Sequence, residues 1–245
     1  MTSKPVEGKI ALITGANKGI GLEIAHQLGK QGITVLLGVR DENRGREAAE
    51  KLQAENIDAH VVQLDVTAQD TIDAAASYID SEFGKLDILV NNAGIAIDNV
   101  PPSQLDIEVL RRTYDTNVFG VFAVTKAMLP LLRKSDAGRI VNMSSGLGSL
   151  AQNSDPNYEY AQVKLLAYNS SKTALNAMTI QFAHELKDTP IKVNSADPGY
   201  VATDINSHRG SRTVQQGATA PVRLAMLPAD GPTGGYFDEN GIVPW

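Results

Sequence analysis

The chain contains no cysteine. That absence excludes disulfides, thiolate nucleophiles and cysteine-ligated zinc, and it is compatible with a reducing compartment while leaving the compartment open. Long apolar runs are missing as well. No segment approaches the ~18 consecutive apolar residues of a membrane span. The opening MTSKPVEGKI lacks the apolar core of a secretory signal, so a soluble, cytoplasmic protein with no membrane partner is the expectation. Positive charge is in deficit, since 22 Lys and Arg against 28 Asp and Glu give a formal charge of −6. A chain of that sign lacks the basic field that binds a phosphate backbone, which argues against a nucleic-acid partner. Histidine is scarce: His26, His60, His184 and His208 are scattered without metal-ligand spacing, and no metal site is expected. HExxH and paired-carboxylate patterns do not occur, and Ser144-Ser145 lacks the flanking glycines of a nucleophile elbow.

What is present reads as one α/β unit. A length of 245 residues with 42% hydrophobic content fits a single core, which runs to roughly 200–250 residues before it splits. Short β-branched runs fall at Ile10 to Thr14, Thr34 to Val39, His60 to Leu64, Ile88 to Val90, Arg139 to Met143 and Ile191 to Asn194, with a last one at Gly235 to Phe237. Between them lie segments of helical period, such as Ile20 to Gln31 and Asn43 to Glu55. The pattern predicts a doubly wound, Rossmann-like fold, a parallel β-sheet flanked by helices on both faces, in a single domain over 1–245. Residues 199–232 break the alternation. They are polar, glycine-punctuated and too long for a minimal connection, and read as a lid on the substrate side.

The first strand runs into Thr14-Gly15-Ala16-Asn17-Lys18-Gly19-Ile20-Gly21, and a helix follows. Glycines there permit a tight turn and bring a pyrophosphate close to free N–H groups at the helix start. A loop that merely needs glycine is the plainer alternative. The position of the turn favours dinucleotide binding through Gly15, Asn17, Lys18, Gly19, Ile20 and Gly21. The second strand ends Gly38-Val39-Arg40-Asp41. An acidic residue about 20 positions past the glycines would hold the ribose of NAD, whereas an arginine suits the additional phosphate of NADP. Arg40 and Lys18 converging on one phosphate favour NADP(H). The alternative is that both are surface charges and that Asp41 caps the next helix.

With these motifs and those that follow, the chain resembles the short-chain dehydrogenase/reductase family over nearly all its length. Thr14 to Gly21 matches the family's TGxxxGxG turn, Asn91-Asn92-Ala93-Gly94 its NNAG, and Pro198-Gly199-Tyr200-Val201-Ala202-Thr203 its PGxxxT. The fifth strand ends Asn142-Met143-Ser144-Ser145-Gly146, and Tyr168-Asn169-Ser170-Ser171-Lys172 reads YxxxK. The resemblance implies that Asp65 and Val66 face the adenine and that Asn91, Asn92, Ala93 and Gly94 line the cofactor and support the central strands. It implies that Pro198, Gly199, Val201 and Thr203 hold the nicotinamide carboxamide. Asn17 to Gly21 with Arg40-Asp41 and Arg44-Gly45 resembles the NADPH-dependent carbonyl reductase branch. The implied activity is reduction of a small-molecule ketone or aldehyde to an alcohol, by a monomer or a homo-oligomer.

Carbonyl reduction needs a hydride donor at the carbon and a proton donor at the oxygen. A phenol serves if a cation stabilises the phenolate it leaves. Lys172 lies one helical turn after Tyr168, on the same face, within reach of both the phenol and the nicotinamide ribose. Ser145 would polarise the carbonyl oxygen. Asn117 matches the family asparagine that kinks its helix and holds a water against the lysine. Taken singly, a serine after a strand or an asparagine in a helix is a cap or turn; the combination favours chemistry.

Tyr160-Ala161-Gln162-Val163-Lys164 is a second YxxxK. Tyr158 stands 13 positions after Ser145 and Tyr168 stands 23 after it, and the family commonly shows the shorter interval. Spacing alone therefore opposes Tyr168. The residues after Lys172 support it, because Leu175, Met178, Phe182 and Leu186 continue an amphipathic helix. Residues 149–167 then read as an insertion near the substrate mouth. Two rivals use the same fold. An extended-type epimerase would carry TGxxGxxG and a longer chain, and a non-catalytic NADP sensor would lack the tyrosine-lysine pair.

Overall fold

The computed structural model describes residues 8–245. Strands β1 (Ile10–Thr14) and β2 (Thr34–Val39) are buried at every position, as central strands covered on both faces must be. With β3 (Ala59–Gln63), β4 (Ile88–Asn91), β5 (Arg139–Met143), β6 (Lys192–Ala196) and β7 (Tyr236–Phe237) they form one sheet ordered β3-β2-β1-β4-β5-β6-β7. Every pairing is parallel. The connecting helices are α1 (Gly19–Gly29), α2 (Glu42–Gln53), α3 (Gln69–Phe83), α4 (Ile107–Tyr114), α5 (Val121–Leu132), α6 (Leu150–Ser154), α7 (Leu166–Glu185) and α8 (Val214–Ala225).

Strand alternation divides the core in two. Ala11, Ile13, Leu37 and Val90 pack on the face that carries α1, α2 and α8, while Ile10, Leu12, Leu36 and Leu89 pack on the face of α3, α5 and α7. Each fully buried aliphatic contributes roughly 1.5–3 kcal/mol by leaving water. Chain order reverses between β1 and β4. Connections leaving those two strands diverge, so a crevice opens at their carboxyl ends. This is the doubly wound, Rossmann-like sheet that the sequence predicts.

Strand limits move by a residue or two from the sequence reading. Residue 191 is outside β6, and the strand continues to Ala196, because Ser195 satisfies its hydroxyl against Thr179 at 2.9 Å and so tolerates burial. A larger difference lies in 199–232. Its second part is α8, which packs on α1 and buries Ala218, Leu224 and Ala225 in the core. Thr213 and Gln216 start that helix with a capping box. Small residues conceal it in the sequence. Residues 199–206 with His208, Arg209 and Val214 line the crevice, and the rest of α8 is framework.

Candidate active site

The crevice holds a cleft of about 1640 Å³, which runs from Arg40 and Asp65 past the glycine turn to Tyr168 and Lys172. Its floor is two loops bound to each other. Thr14 Oγ1 accepts from Asn92 N at 2.9 Å and Ala93 N at 3.0 Å, and the Asn92 amide donates to Thr14 O at 2.8 Å. Glycine is needed at two points here. Gly15 has φ +66°, and a β-carbon on Gly21 would stand 2.4 Å from Asn92 Nδ2. Gly15, Asn17, Lys18, Gly19, Ile20 and Gly21 all line the cleft. Lys18 precedes α1 without a side-chain cap, and no acidic residue lies in the first turn, so these N–H groups suit an anion.

Arg40 is exposed and lines the cleft. The neighbouring Asp41 carboxylate caps α2, accepting from Asn43 N at 3.0 Å and Arg44 N at 3.3 Å. Lys18 is placed differently from expectation, because its ammonium pairs with Asp204 across the mouth. His208 Nε2 reaches the other Asp204 oxygen at 2.8 Å. Asp65 and Val66 line the same end, with Asp65 Oδ1 accepting from Thr67 N at 2.9 Å.

Asn91 takes only one of its two expected roles: it supports the central strands and does not line the cleft. Its side chain is buried away from the cleft and donates to Asn142 Oδ1 at 2.8 Å and Thr125 Oγ1 at 3.0 Å. Alternation along β4 turns it inward, so it braces the sheet, and Asn92, Ala93 and Gly94 line the cleft instead. Pro198, Gly199, Val201 and Thr203 line the opposite wall.

At the far end, Tyr168 occupies the first turn of α7. Leu165 cannot cap that helix, and a loop residue does so: Asp98 Oδ2 accepts from Ala167 N at 2.8 Å. Burial pushes the Tyr168 phenol up to about 12, the Ser145 hydroxyl beside it pulls down, and the Asp197 carboxylate pushes up. Lys172 is 5% exposed. Its Nζ donates to Met143 O at 2.7 Å and lies 5.6 Å from the Tyr168 ring centroid. Burial pulls Lys172 down to about 8, so it is still a cation at neutral pH. Asn117 sits in a π-helical stretch, Asp115–Gly120, between α4 and α5. It does not line the cleft. Its amide grips Ile95 N and O, each at 2.9 Å, and donates to Ser171 Oγ at 3.0 Å.

The second YxxxK does not assemble. Lys164 Nζ turns outward to Asn153 O at 2.8 Å, and Tyr160 lies against Tyr158 and Tyr200 with ring centroids 5.6 and 5.9 Å away. Those three tyrosines line the wall near Ser145. Asp98, Asp197 and Asp204 are further residues of the site that the motif reading did not single out.

Whether these residues suit a nicotinamide dinucleotide can be tested on the cleft itself. A β-carbon on Gly94 would stand 3.4 Å from both Lys172 Nζ and Asn117 Oδ1, so glycine keeps open the approach to the lysine. An uncapped helix start, the exposed Arg40 and that approach together fit the group. No cluster of three or more metal-ligating side chains occurs among the described residues. Nor is any helix there long and apolar enough to cross a membrane.

Comparison with known proteins agrees. The family model for short chain dehydrogenases matches residues 9–213. Short-chain dehydrogenase/reductase 1 of Saponaria officinalis is 37% identical, over 97% of this chain and 96% of that protein. Carbonyl reductase (NADPH) 1 of Rattus norvegicus is 32% identical, over 96% and 98% respectively. The NADPH-bound carbonyl reductase from chicken fatty liver superposes with a TM-score of 0.86 at 27% identity, covering 98% of this chain and 100% of that one. Sheet order, glycine turn and matched length converge, and the chain belongs to the short-chain dehydrogenase/reductase family of oxidoreductases, in its carbonyl-reductase-like branch.

Proposed function

We propose that this protein is an NADPH-dependent reductase that converts a ketone or aldehyde into an alcohol, with Tyr168 as proton donor. The observation that carries the reading is the grouping of Ser145, Tyr168 and Lys172 at one end of a cleft whose other end is the glycine turn and Arg40. The glycine turn, Arg40 and Lys172 would hold the dinucleotide, which supplies a hydride when bound. Ser145 donates to the substrate oxygen and polarises the carbonyl. Tyr168, a phenol throughout the neutral range because burial holds it at about 12, delivers its proton to that oxygen. The Lys172 cation favours the phenolate left behind. Asn117 keeps the Ile95 backbone and Ser171 fixed, and so holds the loop after β4 against α7.

NADPH oxidation followed by absorbance against a panel of ketones, aldehydes and quinones tests the reading; no turnover with any carbonyl would refute it. Efficiency with NADPH should exceed that with NADH, and Arg40→Asp should erase or invert the preference by replacing attraction for the phosphate with repulsion. Equal efficiencies in the unaltered enzyme would count against NADPH.

The Lys18–Asp204 pair supplies a second expectation. A phosphate at Arg40 competes with Asp204 for Lys18, so Asp204→Asn should tighten NADPH binding by about 2–5-fold at low salt, and less at high salt. Fluorescence titration of NADPH measures this, and an unchanged or weaker affinity would show that the pair does not compete.

A further inference from the structure

Ser145 stands at the start of a short loop and Tyr168 in the first turn of a long helix, and one substrate oxygen has to meet both hydroxyls. The two supports differ in stiffness. Helix α7 runs for 20 residues and fully buries Ala167 and Ser171, which flank Tyr168. The Ser145 loop is a single 3₁₀ turn, Gly146–Gly148, with glycine at both ends, so little in its own sequence fixes it. Its middle residue carries the contact to the hydroxyl. Leu147 N–H donates to Ser145 Oγ at 3.3 Å, which occupies an acceptor position of that oxygen and leaves its hydrogen to be donated into the cleft.

Leu147 is held in turn by Asn153, near the end of α6. Asn153 Nδ2 donates to Leu147 O and to Ser149 O, the second at 3.1 Å. Its Oδ1 accepts from Asn169 Nδ2 at 3.3 Å, and that same amide donates to Val163 O at 3.0 Å. Asn169 is the residue after Tyr168. Lys164, the lysine of the second YxxxK, closes the set by donating from Nζ to Asn153 O at 2.8 Å. One side chain therefore bridges the loop of Ser145 and the helix of Tyr168, with its donor on one and its acceptor on the other. Asn153 does not itself line the cleft.

Resting on the reading of Ser145 as the group that polarises the carbonyl, we propose that Asn153 is a positioning residue for that reaction: by tying Leu147 to Asn169 it fixes the separation of the Ser145 and Tyr168 hydroxyls. The stiff helix is the reference and the glycine-flanked turn is what moves, so loss of the tie is felt at Ser145. Misplacing a reacting group by about 1 Å costs on the order of 10²-fold in rate. In this role residues 149–167 support the reacting groups from behind as well as walling the cleft.

Asn153→Ala should lower kcat for carbonyl reduction by ~5–50-fold while the Kd for NADPH stays within about twofold. The deciding measurement is a double-mutant cycle with Ser145→Ala, read as single-turnover NADPH oxidation with enzyme in excess so that slow variants remain measurable. With no hydroxyl left to place, adding Asn153→Ala to Ser145→Ala should cost no more than ~2-fold. A tie that only supports the fold would slow both backgrounds by the same factor. Losses that multiply, or an Asn153→Ala variant as fast as the unaltered enzyme, would overturn the proposal. Should Asn153→Ala not fold, Asn169→Ala cuts the same tie from the helix side and must show the same non-additivity. Absence of turnover with any carbonyl would refute the proposed function itself, whereas turnover with multiplying losses overturns the positioning role alone.

Discussion

Tyr168→Phe is expected to lower kcat for carbonyl reduction by at least ~100-fold while leaving NADPH affinity within about twofold. The substitution removes one oxygen from a side chain whose ring stays packed in the first turn of α7, so position is kept and only the proton is lost. Tyr158→Phe and Tyr160→Phe are expected to cost no more than ~5-fold each, because the nearest YxxxK lysine, Lys164, points outward to Asn153 O. Steady-state kinetics at saturating NADPH for the three variants decide between the tyrosines. A large loss in Tyr158→Phe with a small one in Tyr168→Phe would mean that the interval from Ser145, and not the lysine one turn along the helix, identifies the donor.

The central strands were legible because residues buried on both faces form nearly continuous apolar runs, and β1 and β2 fall where those runs do. Polar strand ends were less so. Ser195 is fully buried beside Thr179, a pairing that joins a strand to a helix and leaves no mark on local periodicity. The glycine turn was legible for a different reason, since its glycines answer to backbone geometry and that is written into residue type. Motif reading treated Asn91 and Asn92 alike, yet alternation in β4 sends one to the sheet interior and the other to the glycine turn.

The loop carboxylates are the hardest case. Asp98 caps a helix through the N–H of a residue 69 positions later, and Asp204 meets a lysine 186 residues earlier. Neither pairing follows from spacing, because it depends on how the crevice brings loops together. Helix α8 was hidden by composition. Gly217 is required where a β-carbon would stand 2.5 Å from Val201, and Pro221 sits within the helix, so a segment full of loop-forming residues folds as core.

Lys172→Met is expected to reduce turnover by at least ~100-fold and yet to stabilise the unliganded protein near neutral pH. Burial pulls this ammonium from its ordinary 10.5 to about 8. Between those values the unfolded chain holds a proton that the folded chain has released, so stability rises with pH across that window. Below about 8 the folded protein carries the buried cation, a cost on the order of 3 kcal/mol relative to its stability above 10.5. Methionine has nearly the same length and no charge, so the cost disappears. It also leaves Met143 O without the donor now at 2.7 Å, which takes back about 1 kcal/mol. The net gain at pH 7 is therefore about 2 kcal/mol. Tyr168 acts with the opposite sign, because its rise to about 12 makes stability fall as pH climbs from 10 to 12. Urea unfolding at intervals from pH 7 to 10 isolates the lysine. The unaltered protein should gain stability with pH over that range and Lys172→Met should stay nearly flat; parallel curves would mean that the lysine is not held against its charge.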